Sequence, residues 1–299
     1  MAYRKLTDNV GYITGAVNIG VINTGDGGVV LIDSGLETRV AKRILKTLEG
    51  ENLFPLAVIN THGHADHCGG NAYLREETGL DIYASSQETP IIENPWLEPQ
   101  YLFSGAEPIS ALENKFLQAE PSRVDQQIEL AKTRVQIQGS ELEIVPLPGH
   151  SPGQIGVGYE GVLFTADSYF SLQVLNRHPL PFLMNAEKFL ETLNFLENSD
   201  YDIYLSSHGN PQENITEIIV NNRERVKNII DFISRNLQRE QETRELVEQV
   251  LNHWEIETED VQGYCLNRTI ILACLSYLCE NNSFQVHASN QGLFWQNKE

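Results

Sequence analysis

The stretch Thr61–His67, with the sequence THGHADH, decides how the rest of this chain is interpreted. It places His62, His64 and His67 together with Asp66 within six residues, although the whole chain contains only eight histidines. Neutral imidazole nitrogens and carboxylate oxygens are the ligands that Zn²⁺ and similar divalent metals prefer. The stretch therefore predicts a metal site rather than a polar loop with chance histidines.

An apolar, partly β-branched run, Leu56–Asn60, precedes this stretch and predicts a buried strand. The histidines thus follow a strand end, where side chains can converge on one point. Three later residues have the same placement, because His150, Asp167 and His208 each follow an apolar run and adjoin Gly, Pro or Ser. Four strand ends therefore supply side chains of the metal-ligand type. The other histidines lack this placement, and we expect them to be structural or exposed: His178, His253 and His287.

Short apolar runs separated by turn residues predict a chain rich in strands up to about residue 205. The predicted strands span residues 17–23, 29–33, 56–60, 81–84, 126–130, 134–138, 141–147, 155–159, 162–165 and 201–205. Apolar spacing of three and four residues predicts helices around residues 40–48 and over 186–197. A short helix is also predicted over residues 71–78, after the tight turn at Gly69-Gly70. Residues 93–125 contain four prolines and several aromatic side chains without sustained periodicity. We expect them to form an irregular loop that borders the active site.

After Pro211 the sequence pattern changes from short apolar runs to the longer periodic segments of helices. Helices are predicted over residues 213–236, 243–254 and 266–279, followed by a hairpin over 284–288 and 293–296. Three helices followed by a hairpin is the order of a winged-helix module. We therefore predict two domains, a catalytic domain at residues 1–212 and a smaller, mostly helical, winged-helix-like domain at residues 213–299.

The composition restricts the classes of partner. The formal net charge is −20 and the isoelectric point about 4.7, so the surface repels phosphate backbones and anionic lipids at long range. No stretch of eighteen or more apolar residues occurs, and we expect no membrane span. The N-terminus lacks the apolar run of a signal peptide, and the four cysteines form no CxxC pair. A cytoplasmic location is the expectation.

The pattern TxHxHxDHxGG, together with the later strand ends, resembles the metallo-β-lactamase superfamily over roughly residues 10–210. The resemblance implies an α+β fold, an αββα sandwich with two sheets face to face and helices outside. It also implies a centre with two divalent metal ions at one edge of the sandwich. Zn²⁺ suits the ligand set best, and Fe or Mn is also accepted by it.

Carried over residue by residue, the resemblance gives each candidate a role. The first metal would be bound by His62, His64 and His150. The second would be bound by Asp66, His67 and His208, with Asp167 bridging both ions. Asp33, at the end of an earlier strand, would orient a ligand without touching metal. Asp66 would also act catalytically, by holding or passing on the proton of the attacking water.

Two divalent ions lower the pKa of a bridging water, so a hydroxide nucleophile forms near neutral pH. The expected reaction is hydrolysis of a small-molecule ester, thioester or lactone. The motif His67-Cys68-Gly69-Gly70-Asn71 resembles the corresponding sequence of the hydroxyacylglutathione hydrolase group. Residues 213–299, however, do not match the glutathione-binding C-terminal region of that group. A small-molecule substrate is therefore expected, with its identity open.

Two alternatives remain at this point. One is a single-strand-specific endoribonuclease, because the C-terminal region resembles the tails of lactamase-like proteins, some of which cut RNA. Residues 213–299 contain fourteen acidic and eight basic side chains, which disfavours nucleic acid. The basic side chains of the first C-terminal helix form either a local patch or pairs with neighbouring glutamates: Arg223, Arg225, Lys227, Arg235 and Arg239.

The other alternative is a winged-helix module for DNA binding or homodimerisation beside a vestigial site, although the complete ligand set disfavours a vestigial site. Cys68 is a separate question, because it adjoins the candidate ligand His67. We interpret it as a small buried residue rather than a reactive thiol or an extra ligand.

Overall fold

The computed structural model describes residues 1–131, 133–281 and 283–298, and two face-to-face sheets form its centre. The first sheet has seven strands whose spatial order is also their chain order: β1 (Tyr3–Lys5), β2 (Val10–Ile13), β3 (Ile19–Gly25), β4 (Gly28–Ile32), β5 (Phe54–Asn60), β6 (Asp81–Ser85) and β7 (Gln126–Ile128). Strands β1 to β4 pair antiparallel, whereas β4 to β7 pair parallel. The parallel strands β4 and β5 therefore end at the same edge of the sheet.

The second sheet has five strands: β8 (Arg134–Ile137), β9 (Ser140–Pro146), β10 (Ile155–Tyr159), β11 (Val162–Ala166) and β12 (Ile203–Ser206). Their spatial order is β12-β11-β10-β9-β8, and the pair β11–β12 is parallel. Buried side chains from both sheets meet between them, among them Val30, Ile59, Val157 and Phe164. This interior removes apolar side chains of both sheets from water and holds their edges in fixed relation.

Ten helices surround the sheets or follow them in the described part of the chain: α1 (Thr38–Gly50), α2 (Ala65–Cys68), α3 (Asn71–Thr78), α4 (Thr89–Glu93), α5 (Leu97–Leu102), α6 (Leu172–Arg177), α7 (Ala186–Glu197), α8 (Thr216–Asn236), α9 (Thr243–His253) and α10 (Val261–Glu280). Helix α1 buries Ala41, Ile44 and Leu48, spaced three and four apart, against the outer face of the first sheet. Helix α7 buries Phe189 and Leu193 against the second sheet. These layers confirm the predicted αββα sandwich.

The C-terminal region packs onto helix α7. Phe189 of α7, Ile229 of α8 and Ile271 of α10 belong to one continuous buried cluster, which thus crosses the predicted boundary at residue 212. A small sheet completes the region, in the order β13-β15-β14: β13 (Gln241–Glu242), β14 (Phe284–Ser289) and β15 (Gly292–Asn297). The region is thus mostly helical, as predicted, and its winged-helix-like character stays a prediction. None of the helices among the described residues is long and apolar enough to cross a membrane.

Three sequence-based expectations need correction. Residues 93–125 are not irregular throughout, because α5 lies within them and α4 ends at their start. Helix α6 was not predicted; it is a short helix whose N-cap Ser171 accepts a hydrogen bond from the backbone N–H of Val174. Helix α10 begins at Val261 rather than at Leu266, because the Asp260 side chain accepts a hydrogen bond from the Gly263 N–H and caps the first turn.

Candidate metal centre

The seven candidate ligands lie together at one edge of the sandwich. They come from the chain directly after β5, β11 and β12 and from the loop between β9 and β10. The ligand-type atoms fall into overlapping groups within which all atoms lie within 4.8 Å of one another. Two of these groups are the predicted sets: His62, His64 and His150, and Asp66, His67 and His208. The ligand roles themselves stay predictions, but the convergence on which they depend is present.

In the first group, the hydrogen bonds of the imidazoles fix which nitrogen faces the centre. His150 Nδ1 lies 3.0 Å from the Phe182 carbonyl oxygen, which can only accept, so Nδ1 carries the proton and Nε2 the lone pair. That Nε2 lies 3.0 Å from His64 Nδ1. The hydroxyl of Thr61 lies 3.1 Å from His62 Nδ1, which leaves His62 Nε2 toward the centre. Three nitrogens therefore converge.

The second group lies beside the first, with Asp167 between them. Asp167 Oδ2 is 3.7 Å from His150 Nε2 and 3.3 Å from His208 Nε2, and Asp167 Oδ1 is 3.7 Å from His67 Nε2. The carboxylate thus reaches both groups, as the predicted bridging role requires. Asp66 lies on the more open side, with Oδ1 3.7 Å from His67 Nε2 and Oδ2 3.6 Å from His208 Nε2.

Asp33 lies behind the ligands rather than among them. Its Oδ2 accepts hydrogen bonds of 2.8 Å from His67 Nδ1 and from the Thr61 hydroxyl, and its Oδ1 accepts one of 2.8 Å from the Thr61 backbone N–H. Its φ of 67° turns the chain away sharply after β4. Similarly, His208 Nδ1 donates to the Ala16 carbonyl at 2.9 Å. Such partners fix the imidazole orientation and raise the basicity of the inward nitrogen.

Burial and charge divide the imidazoles into two classes. Burial lowers the pKa of His62 and His64 well below the usual range, so both are neutral. Burial also acts against a charge on His67, but the carboxylates of Asp66, Asp33 and Asp167 together raise its pKa well above the usual range. The charge of Asp167 raises the pKa of His208 to about 9. A cation that enters the second group must therefore displace protons.

The donor set fits divalent metal ions. His62 Nε2, His67 Nε2 and Asp167 Oδ1 are buried atoms that have no hydrogen-bond partner within the described residues. Buried polar atoms are almost always paired, and these three point into the same small volume. Imidazole nitrogen and carboxylate oxygen at such convergence are what Zn²⁺ and similar ions bind.

Two carboxylates next to the centre were not found from the sequence. Glu88, at the N-terminus of α4, is buried and accepts hydrogen bonds from residues of two ligand-bearing loops. Glu98 of α5 is also buried, with Oε1 4.0 Å from His64 Nε2. Their partners lie far away in the chain, so no local sequence pattern marks them.

A cavity of about 850 Å³ opens beside the centre, and His150, Asp167 and His208 form part of its lining. Helix α6 and the segment after it form one wall, and the first half of α10 forms another. Phe116 also lines it, which confirms that the 93–125 segment borders the site. That segment is attached to α10, because Asn114 Nδ2 donates to Gln262 Oε1 at 3.0 Å and Arg268 Nη1 donates to Ser104 Oγ at 3.0 Å.

The remaining candidates have mainly structural surroundings. Cys68 is buried, and burial raises the pKa of its thiol well above the usual range, which agrees with the interpretation as a buried side chain. His253 stacks on Phe232 with ring centroids 4.0 Å apart, and His287 pairs with Glu240. His178 is exposed, as predicted, but it also lines the cavity described above, which was not predicted.

The arginines of α8 are mostly held by neighbours. Arg223 pairs with Glu197 across to α7, and Arg225 Nη1 donates to the carbonyls of Leu175 and Pro179 at 3.0 and 3.1 Å. Ion pairs also hold Arg235, to Asp231, and Arg239, which follows α8, to Glu245. Among these contacts, the Arg235–Asp231 pair is the predicted i,i+4 type, and the absence of a nucleic-acid partner stays a prediction.

The family model described as the metallo-beta-lactamase superfamily matches residues 12–208, which include all seven candidate ligands. The chain belongs to the metallo-β-lactamase superfamily.

Among individual relatives, the hydroxyacylglutathione hydrolase GloC of Haemophilus influenzae is 32% identical over 156 residues, covering 51% of this chain and 66% of that protein. The probable metallo-hydrolase YybB of Bacillus subtilis is 26% identical over 213 residues, covering 70% of this chain and 84% of its own. The chain spans less than two thirds of the length of the hydroxyacylglutathione hydrolases that it matches first, at 66%, 44% and 33%.

Two solved structures share the fold over nearly the whole chain. A metallo-β-lactamase family protein from Thermus thermophilus superposes with a TM-score of 0.75 at 17% identity, covering 98% of this chain and 100% of that one. A β-lactamase domain protein from Burkholderia ambifaria gives 0.76 at 16% identity, covering 99% and 93%. The sandwich and the C-terminal helices therefore recur together.

Proposed function

We propose that this chain is a metal-dependent hydrolase of a small-molecule ester, thioester or lactone, and that its centre holds two divalent ions, with Zn²⁺ as the best-suited metal. One observation carries the proposal: the convergent donor atoms of His62, His67 and Asp167 lack partners within the described residues, and Asp167 lines a cavity of about 850 Å³. Cavities that bind small molecules are typically about 300–1,000 Å³.

His62, His64 and His150 would hold one ion, and Asp66, His67 and His208 the other, with Asp167 between them. Divalent ions there supply water activation and carbonyl polarisation. The outward hydrogen bonds of His150, His67 and His208 keep their inward Nε2 atoms aimed at the centre. The orientation is thus set before any ligand binds, which is what a preorganised site requires.

Asp66 is the residue best placed to move a proton. Its side chain is 36% exposed, whereas that of Asp167 is 6% exposed and that of His67 is fully buried. A carboxylate oxygen of Asp66 can accept a proton from the attacking water and release it toward the leaving group or solvent. The buried neighbours cannot exchange protons with solvent as readily.

The C-terminal region supports a small substrate. The first half of α10 forms one wall of the cavity, and Phe116 of the segment 93–125 also lines it. Walls of this kind favour substrates that fit between them. We propose that the winged-helix-like C-terminal region serves here as a wall of the site.

The test combines metal loading with an activity panel. Purified protein is stripped with a chelator, reloaded with Zn²⁺, Mn²⁺ or Fe²⁺, and assayed on thioesters, lactones, phosphodiesters and single-stranded RNA. We expect ester, thioester or lactone hydrolysis that requires metal at two ions per chain and is lost in His64→Ala. Substitution of the exposed His287 by alanine is the matched control and should leave activity unchanged. Cleavage of RNA without ester hydrolysis would replace the proposal by an endoribonuclease.

A further inference from the structure

Apolar side chains form most of two walls of the cavity beyond the candidate ligands. One wall consists of Phe170, Leu175 and Leu180, all buried, and the opposite wall of α10 presents Leu266 and Ile270. Such walls favour the removal of hydrocarbon from water.

The charged side chains of the lining lie at its exposed rim. Besides Asp167, the acidic and basic residues among the described lining are Arg177 and Asp260, and both are exposed. Charged groups that lose water need charged or hydrogen-bonding partners. A glutathione moiety carries two carboxylates and an ammonium. Besides the rim residues Arg177 and Asp260, the lining offers them only neutral amides or an imidazole as partners: Gln173, Gln262, Asn267 and His178.

We propose that the cavity binds an uncharged aliphatic group of the ester or thioester, and that Val174 of α6 and Leu266 of α10 set its accepted length. This inference rests on the proposed hydrolase function. Val174 and Leu266 are both half-buried and both line the cavity. A larger side chain at either position would occupy part of the space beside the centre.

The experiment uses the metal-loaded full chain and two probe series. The first contains N-acetylcysteamine thioesters with acetyl, butyryl, hexanoyl and octanoyl groups; the second contains alkyl acetates of matched length. We expect kcat/KM to rise by up to about fourfold per added methylene in the series whose hydrocarbon enters the cavity, and a lactoylglutathione thioester to be a poorer substrate than the octanoyl thioester. The two series show whether the acyl or the alcohol side carries the hydrocarbon.

Leu266→Trp and Val174→Trp should each abolish the rise with chain length, measured as the ratio of octanoyl to acetyl kcat/KM within the same variant. Val261→Trp is the matched control, because Val261 lies on the same helix, is exposed and is outside the cavity lining; it should keep the full rise. Ready hydrolysis with no chain-length dependence overturns this inference alone, as does a rise that survives in both variants. Hydrolysis of none of the probes overturns this inference, and it overturns the proposed function as well when the panel described above also shows no lactone hydrolysis.

A second inference follows from Glu88, whose carboxylate joins two loops. Glu88 Oε2 accepts a 2.9 Å hydrogen bond from the Gly63 N–H, and Oε1 accepts bonds of 2.7 Å from the Ser151 hydroxyl and from the Gly153 N–H. Gly63 lies between His62 and His64 in the chain, and Ser151 follows His150. One buried carboxylate thus bonds to residues next to all three members of the first group.

The two glycines are packed tightly around this carboxylate. A Cβ atom on Gly63 would lie 3.0 Å from Ile91 Cβ and 3.2 Å from Glu88 Oε2, and one on Gly153 would lie 2.6 Å from Gln87 Cβ. We infer that Glu88 is a positioning residue for the first group of ligands. Its loss would loosen both loops and leave three buried donors partly unpaired.

Glu88→Gln keeps the shape but places an amide N–H₂ against one of these donors. We expect one of the two metal equivalents to bind about 10–100-fold more weakly by chelator competition, with a changed absorption spectrum of the Co²⁺-loaded protein. Glu93→Gln is the control at the other end of α4. Glu93 Oε1 accepts a hydrogen bond of 3.0 Å from the Val124 N–H and has no bond to the ligand-bearing loops among the described contacts. The metal affinities of this variant should equal those of wild type.

Ser151→Ala removes one of the three bonds and provides a milder variant, with an expected loss of a few-fold in the same affinity. Wild-type affinity for both equivalents in folded Glu88→Gln, or in Ser151→Ala if Glu88→Gln does not fold, overturns the positioning role. Failure of the wild-type chain to bind metal would instead overturn the proposed centre.

Discussion

Replacement of Asp33 by asparagine tests how strongly the centre depends on a residue that does not face it. Asp33 accepts three hydrogen bonds of 2.8 Å, two from Thr61 and one from His67, and is 1% exposed. Asparagine has the same shape but only one accepting oxygen. At least one of the three buried donors must therefore face an N–H₂ group.

The magnitude follows from these contacts. Loss of a buried hydrogen bond to a charged group, with a donor left unpaired, costs about 2–4 kcal/mol of the free energy of unfolding. Asp33 is also one of the carboxylates that raise the pKa of His67, and it orients the His67 ring. We therefore expect Asp33→Asn to weaken metal binding about 10–100-fold.

Urea unfolding of the metal-free protein measures the first effect, and Zn²⁺ competition with a chelator measures the second. Asp125→Asn is the matched control, because Asp125 is also a partly buried carboxylate that accepts a side-chain bond, 2.7 Å from Arg75, and a backbone bond, 3.0 Å from the Ile82 N–H. It should lose about 1–2 kcal/mol with unchanged metal affinity. A folded Asp33→Asn protein that binds Zn²⁺ as tightly as Asp125→Asn would refute the reasoning.

Three further predictions concern packing, reactivity and pH. A Cβ on Gly69 would lie 2.0 Å from the Leu36 carbonyl oxygen, so Gly69→Ala should lower the free energy of unfolding by about 2–4 kcal/mol in urea titrations. Gly79→Ala is the control: a Cβ there would have nothing within 4 Å, and its φ of 72° should cost about 1 kcal/mol. Cys68 is buried, so iodoacetamide should leave the activity and metal content of the folded protein unchanged; rapid modification with loss of metal would contradict this. The charge of Asp167 raises the pKa of His208 to about 9, so the stabilisation of the metal-free protein by protonated His208 is complete below about pH 6.5 and is lost as the pH rises through 9. The free energy of unfolding should fall by at most about 3 kcal/mol over this range, and His208→Gln should not show this fall.

The convergence of the candidate ligands could be predicted from the sequence because its signals are local. Each candidate follows an apolar run that forms a strand, and the side chains after β5, β11 and β12 do converge. Helix α7 was also predicted with the observed bounds, Ala186–Glu197, because its apolar positions recur along one face. Helix α3 has the predicted bounds Asn71–Thr78 as well, after the turn at Gly69-Gly70.

The parts that escaped prediction depend on contacts distant in the chain. Glu88 has partners 25, 63 and 65 residues away, and no periodicity connects them. Helices α4, α5 and α6 have only five or six residues each, too few for a repeating pattern. The start of α10 at Val261 does have a local sequence signal, because Asp260 directly precedes the first turn and is a preferred N-cap residue. The cavity itself arises only when α6 and α10 meet.

The separation of the candidate ligands from the α10 wall along the chain has an evolutionary consequence. All seven candidate ligands precede residue 209, whereas the α10 wall begins at residue 260. Mutations confined to the codons of α10 can therefore change one wall of the cavity while every candidate ligand is inherited unchanged. Lineages that share this architecture can thus diverge at that wall within one short stretch of the gene, whereas the α6 wall is encoded among the ligand-bearing segments.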